Sequence, residues 1–169
     1  MNFQEEIKNL YHLELCYIWT HTMDEGSDNE LILDPNYLFF EFNNHKILKI
    51  FDLDGKVGVA VEEKIDYSPE YKDEIDHTYK IGLEHIILDY AETDYFVEKI
   101  GAINIEIDAD KMVCEAIQIE LFTEHYVKQS IFIYSGIYGL SIGGLNKKNF
   151  WIERLYIPMY GEGVDEKWF

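Results

Sequence analysis

The sequence predicts an α+β fold, predominantly antiparallel β, made of two related four-stranded meander or hairpin halves with a short N-terminal helix. Three observations predict it. Ile50-Phe51-Asp52-Leu53-Asp54-Gly55-Lys56-Val57-Gly58-Val59-Ala60-Val61 aligns without a gap on Ile131-Phe132-Ile133-Tyr134-Ser135-Gly136-Ile137-Tyr138-Gly139-Leu140-Ser141-Ile142. The Ile, the Phe, the turn Gly and the post-turn Gly are identical, so one hairpin is used twice. Thirteen Tyr and ten Phe against three Pro favour strands. The links between apolar segments are short, which excludes a βαβ design, and no Gly-rich strand-to-helix loop exists to cradle phosphate.

Residues 2–11 read as an amphipathic helix, with Phe3, Ile7, Leu10 and Tyr11 on one face and Asn2 with Glu5 as a reciprocal cap. Leu13 to His21 reads as a strand, followed by the polar loop Asp24 to Glu30. Tyr37 to Phe42, Lys46 to Leu53 and Val57 to Lys64 complete the first meander. An Asn43-Asn44 turn sets Glu41 opposite Lys46. Asp54-Gly55 and Ser135-Gly136 suit two-residue turns because Gly tolerates positive φ. That register places Phe51 opposite Gly58 and Phe132 opposite Gly139, each ring covering a bare strand glycine. The core faces are then Leu48, Ile50, Val57, Val59 and Val61 in one copy, and Ile131, Ile133, Tyr138, Leu140 and Ile142 in the other.

The second half runs through strands at Ile100 to Ile107, Val113 to Phe122, Val127 to Tyr134 and Ile137 to Ile142. Leu10, Leu13, Cys16 and Ile18 have counterparts in Val97, Ile100, Ile103 and Ile105. A last strand is expected at Phe150 to Tyr156. The expected organisation is one compact domain over 1–169, with repeat halves at about 1–64 and 95–143, a connector at 65–94 and a tail at 144–169. Ser68-Pro69 breaks the connector, and Gly82 to Tyr90 fits strand or helix.

The net charge of −19 repels phosphate backbones and anionic membranes, so direct nucleic-acid binding and membrane association are not expected. A hydrophobic fraction of 47% separates the chain from disordered acidic tails. The first residues lack the basic-then-apolar order of a secretion signal, and no apolar run reaches membrane-spanning length. Cys16 and Cys114 are far apart and form no C-x-x-C, so reduced thiols and a cytoplasmic location are expected.

Chemistry-bearing patterns are sparse. His12, His21, His45, His77, His85 and His125 form no compact ligand set, and no metal or cofactor is expected. Asp52-Leu53-Asp54-Gly55 opens like a calcium loop, but no Glu closes twelve residues, and a turn explains it. No G-x-S-x-G is present, and Cys114 has apolar and acidic neighbours that raise a thiol pKa. No catalytic residue is assigned, and an enzyme is not expected. What remains is surface. Glu62, Glu63, Asp66, Glu70, Asp73, Glu74 and Asp76 crowd the exit of the first meander, interleaved with Tyr67 and Tyr71. Carboxylates there would steer a basic protein, and the aromatics would anchor it.

In size, acidity and hairpin-rich patterning, with segments such as Phe39-Phe40-Glu41-Phe42 and Val57-Gly58-Val59-Ala60-Val61-Glu62-Glu63, the chain resembles the immunity proteins of bacterial toxin systems. That resemblance implies a protein that blocks a cognate, often basic, toxin or nuclease by direct binding, and it assigns no residue roles. Two alternatives are a small-ligand carrier or hydrolase with its pocket between the halves, and a structural module that self-associates through sheet edges.

Overall fold

The structure, a computed structural model, describes residues 2–23, 36–65, 75–87, 89–107, 111–137, 139–161 and 163–169. The N-terminal helix α1 (Phe3–Lys8) forms as its sequence dictates. The Asn2 side chain accepts from the Glu5 amide at 3.0 Å, and the Glu5 carboxylate accepts from the Asn2 amide at 3.3 Å. Phe3, Ile7 and Leu10 are buried.

The described strands form two antiparallel sheets. The first has the order β5-β1-β2-β3-β4-β8-β7, from β1 (Leu15–Met23), β2 (Tyr37–Phe42), β3 (Ile47–Leu53), β4 (Lys56–Glu62), β5 (Ile75–Ile81), β7 (Glu106–Ile107) and β8 (Met112–Cys114). The second has the order β11-β10-β9-β6-β12, from β6 (Phe96–Ile103), β9 (Ala116–Phe122), β10 (Lys128–Ser135), β11 (Leu140–Gly143) and β12 (Glu166–Trp168). Leu48, Ile50, Val57 and Val59 of one sheet meet Ile117, Ile119, Ile131 and Ile133 of the other in a common core, closed by α1. The alternation of inward apolar residues in the strands is the cause of this layering. The segment joining the halves supplies β5, which pairs with β1.

The two halves repeat in topology. Each is a four-stranded meander, β1-β2-β3-β4 and β6-β9-β10-β11. Each also carries one extra residue in its first strand, Cys16 between Leu15 and Tyr17 and Glu98 between Val97 and Lys99. The first strands therefore correspond through Cys16 and Glu98, and not through Cys16 and Ile103.

The first copied hairpin has the expected register, with Phe51 opposite Gly58 and Leu53 opposite Lys56. Asp54 (φ 48°) and Gly55 (φ 92°) both take the positive φ of a type I′ turn. The second hairpin departs from expectation. Phe132 lies opposite Gly143, Ser135 pairs with Leu140 so that four residues separate the paired strands, and the Gly136 amide donates to the Gly139 carbonyl at 2.7 Å. A two-residue turn at Ser135-Gly136 would need positive φ at Ser135, where Asp is better tolerated. Ser135 instead ends β10 and donates its hydroxyl to the Asp52 carboxylate, joining the two copied hairpins. Of the expected core face in this copy, Ile131, Ile133 and Leu140 are buried and Ile142 packs against the core, while Tyr138 lies outside the described residues.

Three other expectations are corrected. Glu41 faces Ile47, not Lys46, because the turn takes three residues, 43–45, with His45 at φ 68°, and the Lys46 carbonyl accepts from the Phe42 amide at 3.1 Å. The strands expected at 100–107 and 113–122 each break and cross between sheets. Asn104 (φ 54°) turns the chain from β6 to β7, and Glu115 separates β8 from β9 with its amide on the Ile103 carbonyl at 2.9 Å. The expected strand at Phe150 to Tyr156 is helical: α2 (Leu145–Trp151) runs into a π-helical turn (Ile152–Tyr156) and α3 (Ile157–Tyr160). Trp151 and Tyr156 are five residues apart, and the wider π turn brings their rings within 5.0 Å. Both are buried against Phe132 and Tyr134 on the outer face of the second sheet. That burial outweighs the strand preference of an aromatic-rich segment.

Candidate functional site

The expected docking surface is only partly within the described residues. Asp66, Tyr67, Glu70, Tyr71, Asp73 and Glu74 lie outside them. Glu62 closes β4 opposite Ile47, at the end of the first sheet where β1 begins. Its carboxylate is 3.5 Å from Lys49 Nζ, and Glu63 pairs with Lys46. These neighbouring lysines offset part of the charge at the exit of β4. Asp76 belongs to β5, whose first residues pair with Thr22 and Met23 at the other end of β1. The structure thus separates Glu62 and Glu63 from Asp76 by the length of the sheet.

A different constellation assembles at the β1 end. A recess of about 200 Å³ opens where β1 meets the end of β5 and the turn after it, lined by Cys16, Tyr17, Ile18, Lys80, Leu83 and Tyr90 among others. The bulge at Cys16 lets the strand bend there. Tyr17 and Tyr90 are large exposed aromatics, and Tyr90 stacks on buried Tyr95 at 5.9 Å between centroids. The Tyr95 hydroxyl is held by the Ala91 amide and carbonyl, both at 3.1 Å, which anchors the segment carrying Tyr90. The Lys80 ammonium lies over Tyr17 at 4.2 Å and Trp19 at 5.1 Å from the ring centroids.

Among the described residues Lys80 is the charged side chain that lines this recess, and carboxylates lie behind its lining residues. Burial, the Asp94 charge and a hydrogen bond to Asp94 together raise the pKa of Glu14. Burial and the charges of Glu14, Glu41 and Asp94 push up the Cys16 thiol, so the thiol is a poor nucleophile. Burial, together with Glu84, Tyr95 and Glu92, raises the Tyr90 phenol. Glu41 faces Tyr17 across the ladder and accepts from the Trp19 indole at 3.4 Å. Five carboxylates, Glu14, Glu41, Glu84, Glu92 and Asp94, thus act on residues at the recess, beside the aromatic rings of Tyr17 and Tyr90.

Sequence reading missed this site because its members come from residues 14–19, 41 and 80–94. Glu84, Asp89, Glu92 and Asp94 interleaved with Tyr90 and Tyr95 carried the same acid-and-aromatic signal as the region that was singled out. Cys114 is free and buried, its thiol held up by burial and Glu115. Among the described residues no three His, Cys, Asp or Glu side chains are grouped to hold a metal ion. No helix among them is long and apolar enough to cross a membrane. Comparison with protein-family models, curated proteins and solved structures finds no match for this chain.

Proposed function

We propose that this protein is an acidic protein-binding module, an immunity-type inhibitor that neutralises a basic toxin or nuclease by direct binding. The observation that carries the reading is the placement of charge within a chain of net charge −19. Glu14, Glu41 and Asp94 act on Cys16, and Glu84 and Glu92 act on Tyr90, at the end of the sheet where Tyr17 and Tyr90 are exposed. Long-range attraction from such a surface speeds encounter with a cationic partner, and aromatic contacts slow its release. Catalysis is no part of this reading, and no cofactor is invoked.

The test is to recover partners from the native host by affinity capture and mass spectrometry, then to measure association of the purified partner at rising salt. The expected partner is basic, its toxicity on expression is abolished by co-expression of this protein, and its association slows markedly between about 0.05 and 0.5 M salt as screening shortens to a few ångströms. A partner that is neutral or acidic, or whose association is indifferent to salt, would overturn the proposal.

A further inference from the structure

We propose that the recess between β1, β5 and Tyr90 is an anchor subsite for one arginine side chain of a protein partner. The inference rests on the docking function above and names the chemistry of its central contact. A volume of about 200 Å³ suits a single long side chain and not a bound cofactor or a folded peptide loop. Tyr17 and Tyr90 are exposed rings at the recess, one covered by Lys80 and the other stacked on Tyr95, and a guanidinium that displaces Lys80 can stack on Tyr17 while hydrogen-bonding at its edges. Ile18 and Leu83 supply apolar wall for the methylene stem.

The ionic surroundings select a cation. Glu14, Glu41 and Asp94 act on Cys16 within the recess, and Glu84 and Glu92 act on Tyr90 at its edge. Lys80 is the cation lining the recess among the described residues, and it already sits on the Tyr17 ring of the recess and on neighbouring Trp19. That internal contact shows that the rings accept a cation. It also means that Lys80 would repel an incoming guanidinium and must swing aside for it. The carboxylates around the recess outnumber it.

The inference is tested by titrating the full chain with the peptide acetyl-Gly-Arg-Gly-amide while following backbone amide chemical shifts. The neutral isostere acetyl-Gly-citrulline-Gly-amide serves as the comparison. The expected result is shifts centred on Cys16, Tyr17, Gly82, Leu83 and Tyr90, and binding of the arginine peptide at least about threefold tighter than of the citrulline peptide, the scale of an exposed ion pair. Replacing Asp94→Asn together with Glu41→Gln should abolish that preference, and Lys80→Met should strengthen arginine binding by about twofold or more. Equal binding of the two peptides, shifts centred elsewhere, or weaker binding in the Lys80→Met variant overturns the subsite. If those results coincide with a basic partner caught in a salt-dependent complex, the inhibitor function stands without this anchor. Arginine-selective shifts in the recess with no basic partner leave the subsite standing and remove the inhibitor reading.

Discussion

Gly58→Ala tests the contact on which the first hairpin is built. A methyl group at position 58 would lie 2.4 Å from Cε2 and Cζ of Phe51 and 2.9 Å from Cδ2. Carbon atoms in favourable contact are about 3.5–4.0 Å apart, so the ring must retreat by roughly 1 Å or more. Its retreat is opposed by Tyr37, a buried ring stacked at 6.4 Å from Phe51, and it disturbs Lys49, whose ammonium lies 5.4 Å from the Phe51 centroid. Overpacking of this kind costs about 1–3 kcal/mol. Relief of glycine's unfolded-state entropy returns about 0.5–1 kcal/mol. The expected net loss is therefore about 0–2.5 kcal/mol, with a midpoint of about 1 kcal/mol, a fall in Tm of up to about 10 °C for a chain of this size. Urea unfolding followed by circular dichroism, with an unchanged slope, measures it. In a Phe51→Ala background the methyl group has no ring to displace, so the two substitutions should couple by about 1 kcal/mol or more. A Gly58→Ala protein more stable than the parent, or additivity within about 0.5 kcal/mol, would refute the reasoning.

Three further predictions concern other parts of the fold. Gly101→Ala would put a methyl group 2.5 Å from Cε3 of Trp168; because β12 has only three residues, the strand should release, seen as red-shifted tryptophan emission and faster amide exchange at residues 166–168, and unchanged exchange would contradict this. Lys148 Nζ donates to Gln118 Oε1 at 2.7 Å and Glu166 Oε1 at 2.8 Å from a mostly buried position, so Lys148→Met should cost about 1–3 kcal/mol in urea unfolding, and a loss below about 0.5 kcal/mol would make the network incidental. Glu14 has a folded pKa above its ordinary value, so the folded state holds that proton more tightly and stability falls as pH rises from the ordinary glutamate range through the raised one. Glu14→Gln should therefore stabilise the protein at neutral pH, with the gain vanishing below the ordinary glutamate pKa; a gain that persists in acid would exclude the carboxylate as its source.

Much of the scaffold was legible because it depends on neighbours in sequence. Asn2 and Glu5 are three residues apart and cap α1 from within one turn. Asp54-Gly55 carries its own turn preference, and alternation along Leu48, Ile50, Val57 and Val59 marks a core face before any partner is known. The acidic character was equally plain, although its arrangement around a recess was not. Glu14, Tyr17, Glu41, Lys80, Tyr90 and Asp94 become neighbours only when β5 pairs with β1 and the first strands of the two halves meet through the Glu14–Phe96 bridge.

By itself, then, the sequence determined a doubled antiparallel meander, a capped N-terminal helix and a strongly negative charge, since each follows from local conformational preference or from composition. Tertiary structure decided the loop of the second hairpin, the strands that change sheets at Asn104 and Glu115, and the helical C-terminal segment. Tyr156 illustrates why. Tyr156 itself and the β-branched Ile157 beside it favour an extended chain, but the Tyr156 hydroxyl accepts from Asn104 Nδ2 at 2.9 Å and its ring packs on Trp151 over the second sheet. Burial against distant residues contributes more free energy than the small differences in local propensity that a linear reading detects.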